Sequence, residues 1–177
     1  MNASIAIWLV LGACAIAVAT DVATRRIPNL LTGALAIAAL ALHSTMGWTS
    51  FLLACAMLVG VTLLGFVAFS FRWLGGGDVK LLAAGAAALG FPDAVPFLIY
   101  TALAGGILAL AVALAMGRLT SVFASIALVL RPLAFKGTVA VAPKAPITLP
   151  YAIAIASGAA AVALSHTVVP FLRLPLL

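Results

Sequence analysis

Carboxylates are nearly missing from this sequence of 177 residues. Three aspartates, Asp21, Asp78 and Asp93, stand against nine lysines and arginines, and there is no glutamate. Only 7% of the residues are charged, 67% are hydrophobic, and the mean hydropathy is +1.37. A water-soluble domain needs far more polar residues to coat its surface, so that class is excluded.

Other absences narrow the chemistry. The two cysteines, Cys14 and Cys55, lie inside apolar runs with no Cys-x-x-Cys spacing and no histidine partner. That excludes a zinc site and a disulfide framework, and both read as small buried hydrophobes. There is no Gly-x-Ser-x-Gly, and Gly75-Gly76-Gly77 is not followed by the Gly-Lys-Ser/Thr of a phosphate-cradling loop. No cofactor or metal is expected. The net charge of +6 comes from basic residues scattered singly between apolar runs, without interleaved aromatics. Nucleic acid is therefore not an expected partner, whereas topology signals and anionic lipid headgroups fit. The first twenty residues lack a basic start, and their positive charge follows at Arg25 and Arg26. A retained first span is expected rather than a signal peptide.

What remains is long apolar runs. They predict an all-α integral membrane protein, one polytopic domain over 1–177 with about six transmembrane helices. The spans fall near 3–20, 30–47, 50–71, 78–91, 94–116 and 149–170. With the N-terminus outside, Arg25, Arg26, Arg72, Lys80, Arg118, Arg131, Lys136 and Lys144 are cytoplasmic and only Arg173 is not. The positive-inside rule selects that orientation. Asp21 and Asp78 then lie at the cytoplasmic ends of the first and fourth spans. Asp93 falls on the far side as a turn or cap residue, and His43 and His166 as interfacial or loop residues. The run Val79 to Phe91 is about 20 Å of helix against a hydrocarbon core of about 30 Å, so it is either enclosed by other helices or set in a thinned bilayer. Residues 119–148 read as an interfacial or re-entrant helix followed by a cytoplasmic loop.

Ionisable groups at membrane depth are costly and signal function. Three glycines before Asp78 allow a sharp turn that exposes backbone N–H groups, with Asp78 at or near the N-cap of its helix. Asp21 ends the first span, where the helix dipole disfavours an anion. Pro28 makes the residue before it extended, and Asn29 can cap the second span. Two close carboxylates cannot both ionise easily, so one keeps a proton. The ionised member can take a proton from water while the other polarises a scissile carbonyl, the minimum equipment of aspartic peptide hydrolysis. The helix dipoles favour Asp78 as the base and Asp21 as the acid. A proton-coupled transporter and a non-catalytic assembly factor remain open on these residues alone.

Asp21…Ile27-Pro28-Asn29 and Gly75-Gly76-Gly77-Asp78-Val79-Lys80 resemble the motifs of the type IV prepilin peptidase family of membrane aspartic proteases. Leu149-Pro150-Tyr151-Ala152-Ile153-Ala154 resembles its last-span motif, with Ala152 where glycine is common. Gly-x-Gly-Asp alone is shared with presenilin-type proteases; the combination is more specific. The resemblance implies a compact peptidase of the Tad/Flp pilus type in the bacterial cytoplasmic (inner) membrane. Its substrates would be prepilins or pseudopilins of pilus and type II secretion systems. It implies catalytic roles for Asp21 and Asp78, with Gly75, Gly77, Lys80, Arg26, Pro28, Asn29, Pro150 and Tyr151 in support. The four-cysteine zinc motif and methylation region of longer members are lacking, so no methyltransferase activity is expected. Lys80, Lys136 and Lys144 are expected to meet lipid headgroups or substrate acids.

Overall fold

The computed structural model describes residues 2–71, 73–117 and 151–167. The expectations placed on Arg72, Arg118, residues 119–148, Pro150 and Arg173 lie outside those residues. The described residues form six helices and no strand: α1 (Asn2–Thr24), α2 (Asn29–Thr45), α3 (Trp48–Ser70), α4 (Gly76–Leu89), α5 (Ala94–Ala115) and α6 (Tyr151–Thr167). Ser4–Thr24 of α1, all of α3 and all of α5 are long and apolar enough to cross a membrane. α2 and α6 are shorter apolar helices of 17 residues, and α4 has 14. The chain divides into two compact units, Met1–Gly105 with Pro150–Leu177, and Gly106–Leu149. The core and the site described below belong to the first.

α1 shows how sequence becomes packing. Ala6, Val10, Ala13, Cys14, Ala17 and Asp21 are buried, at spacings of three and four that keep them on one face. Trp8, Leu9, Ile16 and Val22 on its other faces are exposed, as an apolar solvent requires. Asp21 thus continues the inward stripe. The helix runs one turn beyond it to Thr24, further than the span predicted from hydropathy. The hydroxyls of Thr20 and Thr24 donate back to the carbonyls of Ile16, Ala17 and Thr20, so these polar residues stay helical.

Pairwise contacts fix the helix directions. Lys80 meets Asn29 near the starts of α4 and α2, and His43 meets Ala88 near their ends, so these two run parallel. α3 runs the other way: His43 bonds to Ser50 near its start, and Gly65 lies against Val79 towards its end. α6 starts beside Asp78 and ends at His166, which pairs with Asp93 ahead of α5. The starts of α2, α4 and α6 therefore gather at one end with the close of α1.

α4 is the enclosed helix. Leu81, Ala83, Ala84, Ala86, Ala87 and Ala88 are each at most 1% exposed, with α1, α2, α3 and α6 packed around them. Its small side chains let four neighbours approach closely, which is what a close-packed interior of helices demands. Its shortness is thus met by enclosure.

The far end corrects one reading. His43 is not a loop residue: it is buried in the last turn of α2, with Nδ1 2.7 Å from Ser50 Oγ and Nε2 3.1 Å from the Ala88 carbonyl oxygen. A buried imidazole needs partners for both nitrogens, and the end of α4 supplies one. Asp93 sits in the predicted turn and in addition pairs with His166 at 3.0 Å.

Candidate active site

The site is built from two loops and two helix starts. α1 closes with Arg25 in the left-handed region at φ 55°, its N–H bonded to the Asp21 carbonyl at 2.8 Å. That residue reverses the chain, as a helix-ending left-handed residue does. Pro28, at φ −62° and ψ 131°, is the N-cap of α2, so Asn29 is its first helical residue and not its cap. The Asn29 side chain is directed elsewhere: its Oδ1 accepts a hydrogen bond from Lys80 Nζ at 2.8 Å. Arg26 is exposed, and its carbonyl accepts from Thr24 Oγ1 at 3.4 Å.

Gly75, extended at φ −75° and ψ 150°, is the N-cap of α4. Asp78 is therefore the third residue of the helix and not its cap. Its Oδ2 reaches back to accept the Gly75 N–H at 3.2 Å, the acidic half of a capping box. Gly77 lets the two loops touch: a Cβ there would lie 3.1 Å from Ile27 Cβ. With the Lys80–Asn29 bond, this makes two cross-links between segments some fifty residues apart.

These contacts bring the two carboxylates within reach of each other's charge. Asp21 is 8% exposed, and its Oδ2 has no hydrogen-bond partner among the described residues. Asp78 is half-buried in the first turn of α4, outside the three membrane-length helices. Burial pushes its carboxyl from an ordinary 3.8 up to about 6, the nearby Asp21 charge adds to the rise, and the Gly75 N–H opposes it. A buried, unpartnered carboxylate oxygen near a carboxyl that keeps its proton up to about pH 6 is an arrangement for moving protons.

Tyr151, at the head of α6, lies within electrostatic reach of Asp78. Its ring occupies the space that a side chain at position 105 would need: a Cβ on Gly105 would sit 2.6 Å from Cε2 and 2.7 Å from the hydroxyl. Gly105 was not singled out from the sequence, where it is one of fifteen glycines. Phe69 lies against Gly76, and Phe71 stacks on Trp73 with centroids 5.3 Å apart. These exposed rings flank the site as interfacial aromatics do, and the spacing of aromatic residues at the end of α3 was a legible signal for them. Among the described residues, no group of three histidine, cysteine or aspartate side chains could hold a metal.

The type IV leader peptidase family matches residues 8–110, more than half of the chain. This chain belongs to that family. No curated protein and no solved structure matches it. The stretch matched to the type IV leader peptidases contains Asp21, Asp78 and both loops that join them, while Tyr151 lies beyond it. The chain is thus a membrane protein of a peptidase family.

Proposed function

We propose that this chain is an aspartic endopeptidase that removes leader peptides from type IV, Flp-like prepilins at the cytoplasmic face of the bacterial inner membrane. The observation that carries the reading is the pair itself. Asp21 and Asp78 are drawn to one end of the bundle, within reach of each other's charge, by the Gly77–Ile27 and Lys80–Asn29 contacts. Six spans with the N-terminus outside would put that end in the cytoplasm, where eight of the nine basic residues then lie.

In this reading Asp78 is the member of the pair that carries the shared proton. That reverses the roles suggested by the helix dipoles, because burial and the neighbouring charge outweigh the dipole and one N–H bond at Asp78. Asp21 takes a proton from water as its oxygen bonds to the scissile carbonyl carbon. Asp78 gives its proton to the carbonyl oxygen. Collapse of the tetrahedral species breaks the C–N bond: the proton held by Asp21 leaves on the new amine, and one hydroxyl of the tetrahedral carbon returns a proton to Asp78. The two protons belong to the pair, which titrates as a unit. A prepilin suits this placement, since its scissile bond lies where a polar leader meets an apolar helix.

Leader cleavage of a Flp-type prepilin in liposomes by wild type, Asp21→Asn and Asp78→Asn tests the proposal. Wild type cuts, and each inserted variant loses at least about a thousandfold in rate, as expected when a proton-transfer group is removed. Normal cleavage by either variant would sink the dyad.

A further inference from the structure

A groove opens between α2, α3 and α4, and shares Lys80 and Asn29 with the loop contacts described above. It has a volume of about 240 Å³ and is lined by Asn29, Thr32, Gly33, Ala36, Leu58, Thr62, Lys80 and Ala83. Its chemistry is graded along its length. Asn29 and Lys80, from the starts of α2 and α4, stand at the site end. Ala83 lies about one turn past Lys80, Ala36 about two turns past Asn29, and Leu58 near the middle of α3. The Thr32 hydroxyl donates to the Asn29 carbonyl and the Thr62 hydroxyl to the Leu58 carbonyl, so neither presents a spare proton to the groove. The mouth is therefore a cation and an amide, and the depth is hydrocarbon.

Lys80 is exposed, and Asn29 Oδ1 is neutral. An ammonium has three protons to donate, and the bond to Asn29 uses one. The exposed Phe69 lies against Gly76, one helical turn before Lys80, and is an aromatic of the kind that sits at headgroup level. A positive group at that level, above an apolar slot, is complementary to an amphiphile with an anionic head.

We propose that this groove binds one anionic phospholipid of the bilayer, its phosphate held by Lys80 and the Asn29 amide, with one acyl chain along Ala36, Leu58 and Ala83. The substrate's apolar helix is the competing occupant, and the geometry of α4 sets it aside. Lys80 follows Asp78 by two positions, about 200° around α4, so the groove and the carboxylates face different sides of that helix. A second groove, between α1 and α2, offers an internal contrast. At about 350 Å³ it is larger, yet it is lined only by apolar residues from Trp8 to Ala38 and has nothing to select a headgroup.

The test uses the full chain in nanodiscs of equal phosphatidylglycerol and phosphatidylcholine, transferred to detergent for native mass spectrometry of retained lipid. Thermal unfolding is measured alongside as a check on folding. Wild type is expected to retain phosphatidylglycerol over phosphatidylcholine by about fivefold, and Lys80→Met to lose that preference while still holding lipid. Gly33→Leu fills the groove from an exposed position where an added Cβ meets nothing within 4 Å, and is expected to shed the selected lipid without unfolding. Equal preference in wild type and Lys80→Met overturns the proposal, as does unchanged retention in Gly33→Leu. Stoichiometric displacement of phosphatidylglycerol by an uncut prepilin peptide would assign the groove to substrate instead. None of these readings depends on cleavage, so failure here leaves the peptidase proposal standing.

Discussion

Asp78 binds its proton more tightly in the folded chain than in the unfolded one. The stability tied to that proton is therefore complete below pH 3.8 and is lost as pH rises through about 6. A shift of this size corresponds to a few kcal/mol, reduced to about 1–2 kcal/mol because the group is only half-buried and solvent screens it. Asp78→Asn removes the ionised form while its amide oxygen can still accept the Gly75 N–H. The inert variant is expected to melt a few degrees above wild type at pH 8 and level with it at pH 4, in thermal unfolding in detergent. A lower melting point at pH 8 would mean that the anion stabilises the fold. Asp21 and Asp78 were legible as a pair because carboxylates are so rare here. The proton's resting place was not, because burial is a property of the packed chain.

At the scale of elements, adjacent glycines in α5 separate two effects of the same substitution. A Cβ on Gly105 would collide with the Tyr151 ring, whereas one on Gly106 meets nothing within 4 Å. Alanine is favoured over glycine in a helix interior by up to about 1 kcal/mol, so Gly106→Ala is expected to hold or raise the melting temperature. Gly105→Ala is expected to lower it and to slow leader cleavage at least about tenfold, by pushing Tyr151 off its seat beside Asp78. Equal behaviour of the two variants in melting and cleavage assays would remove Tyr151 from the site. The described helices were readable as helices from their apolar runs, but not which face of each points inward. Inward Val10 and outward Leu9 are equally apolar when lipid is the solvent, so periodicity carries little information. Asn29 shows the same limit: local rules make it a helix cap, and a lysine fifty-one positions away claims its side chain.

For the whole molecule, alternating helix directions make orientation testable with two probes. Phe71 and Thr45 are exposed at opposite ends of the bundle. In a background free of Cys14 and Cys55, a membrane-impermeant maleimide is expected to label Thr45→Cys in intact cells and Phe71→Cys only after permeabilisation. The reverse pattern would put the carboxylates outside. Charge alone predicts that orientation from the sequence, whereas the His43 contacts with Ser50 and Ala88 were not legible, since nothing near His43 in sequence announces its partners. The enclosure of α4 has its own consequence for how this chain tolerates change. From Ala83 to Ala88 the buried positions are already alanine or glycine, so almost any substitution adds atoms where none fit. Ordinary cores fail when side chains are cut away and cavities open; this one fails by wedging. Its mutational record should be lopsided, with α4 admitting little beyond glycine, alanine and serine, and the lipid-facing Ile37, Leu63 and Leu64 exchanging freely among apolar residues.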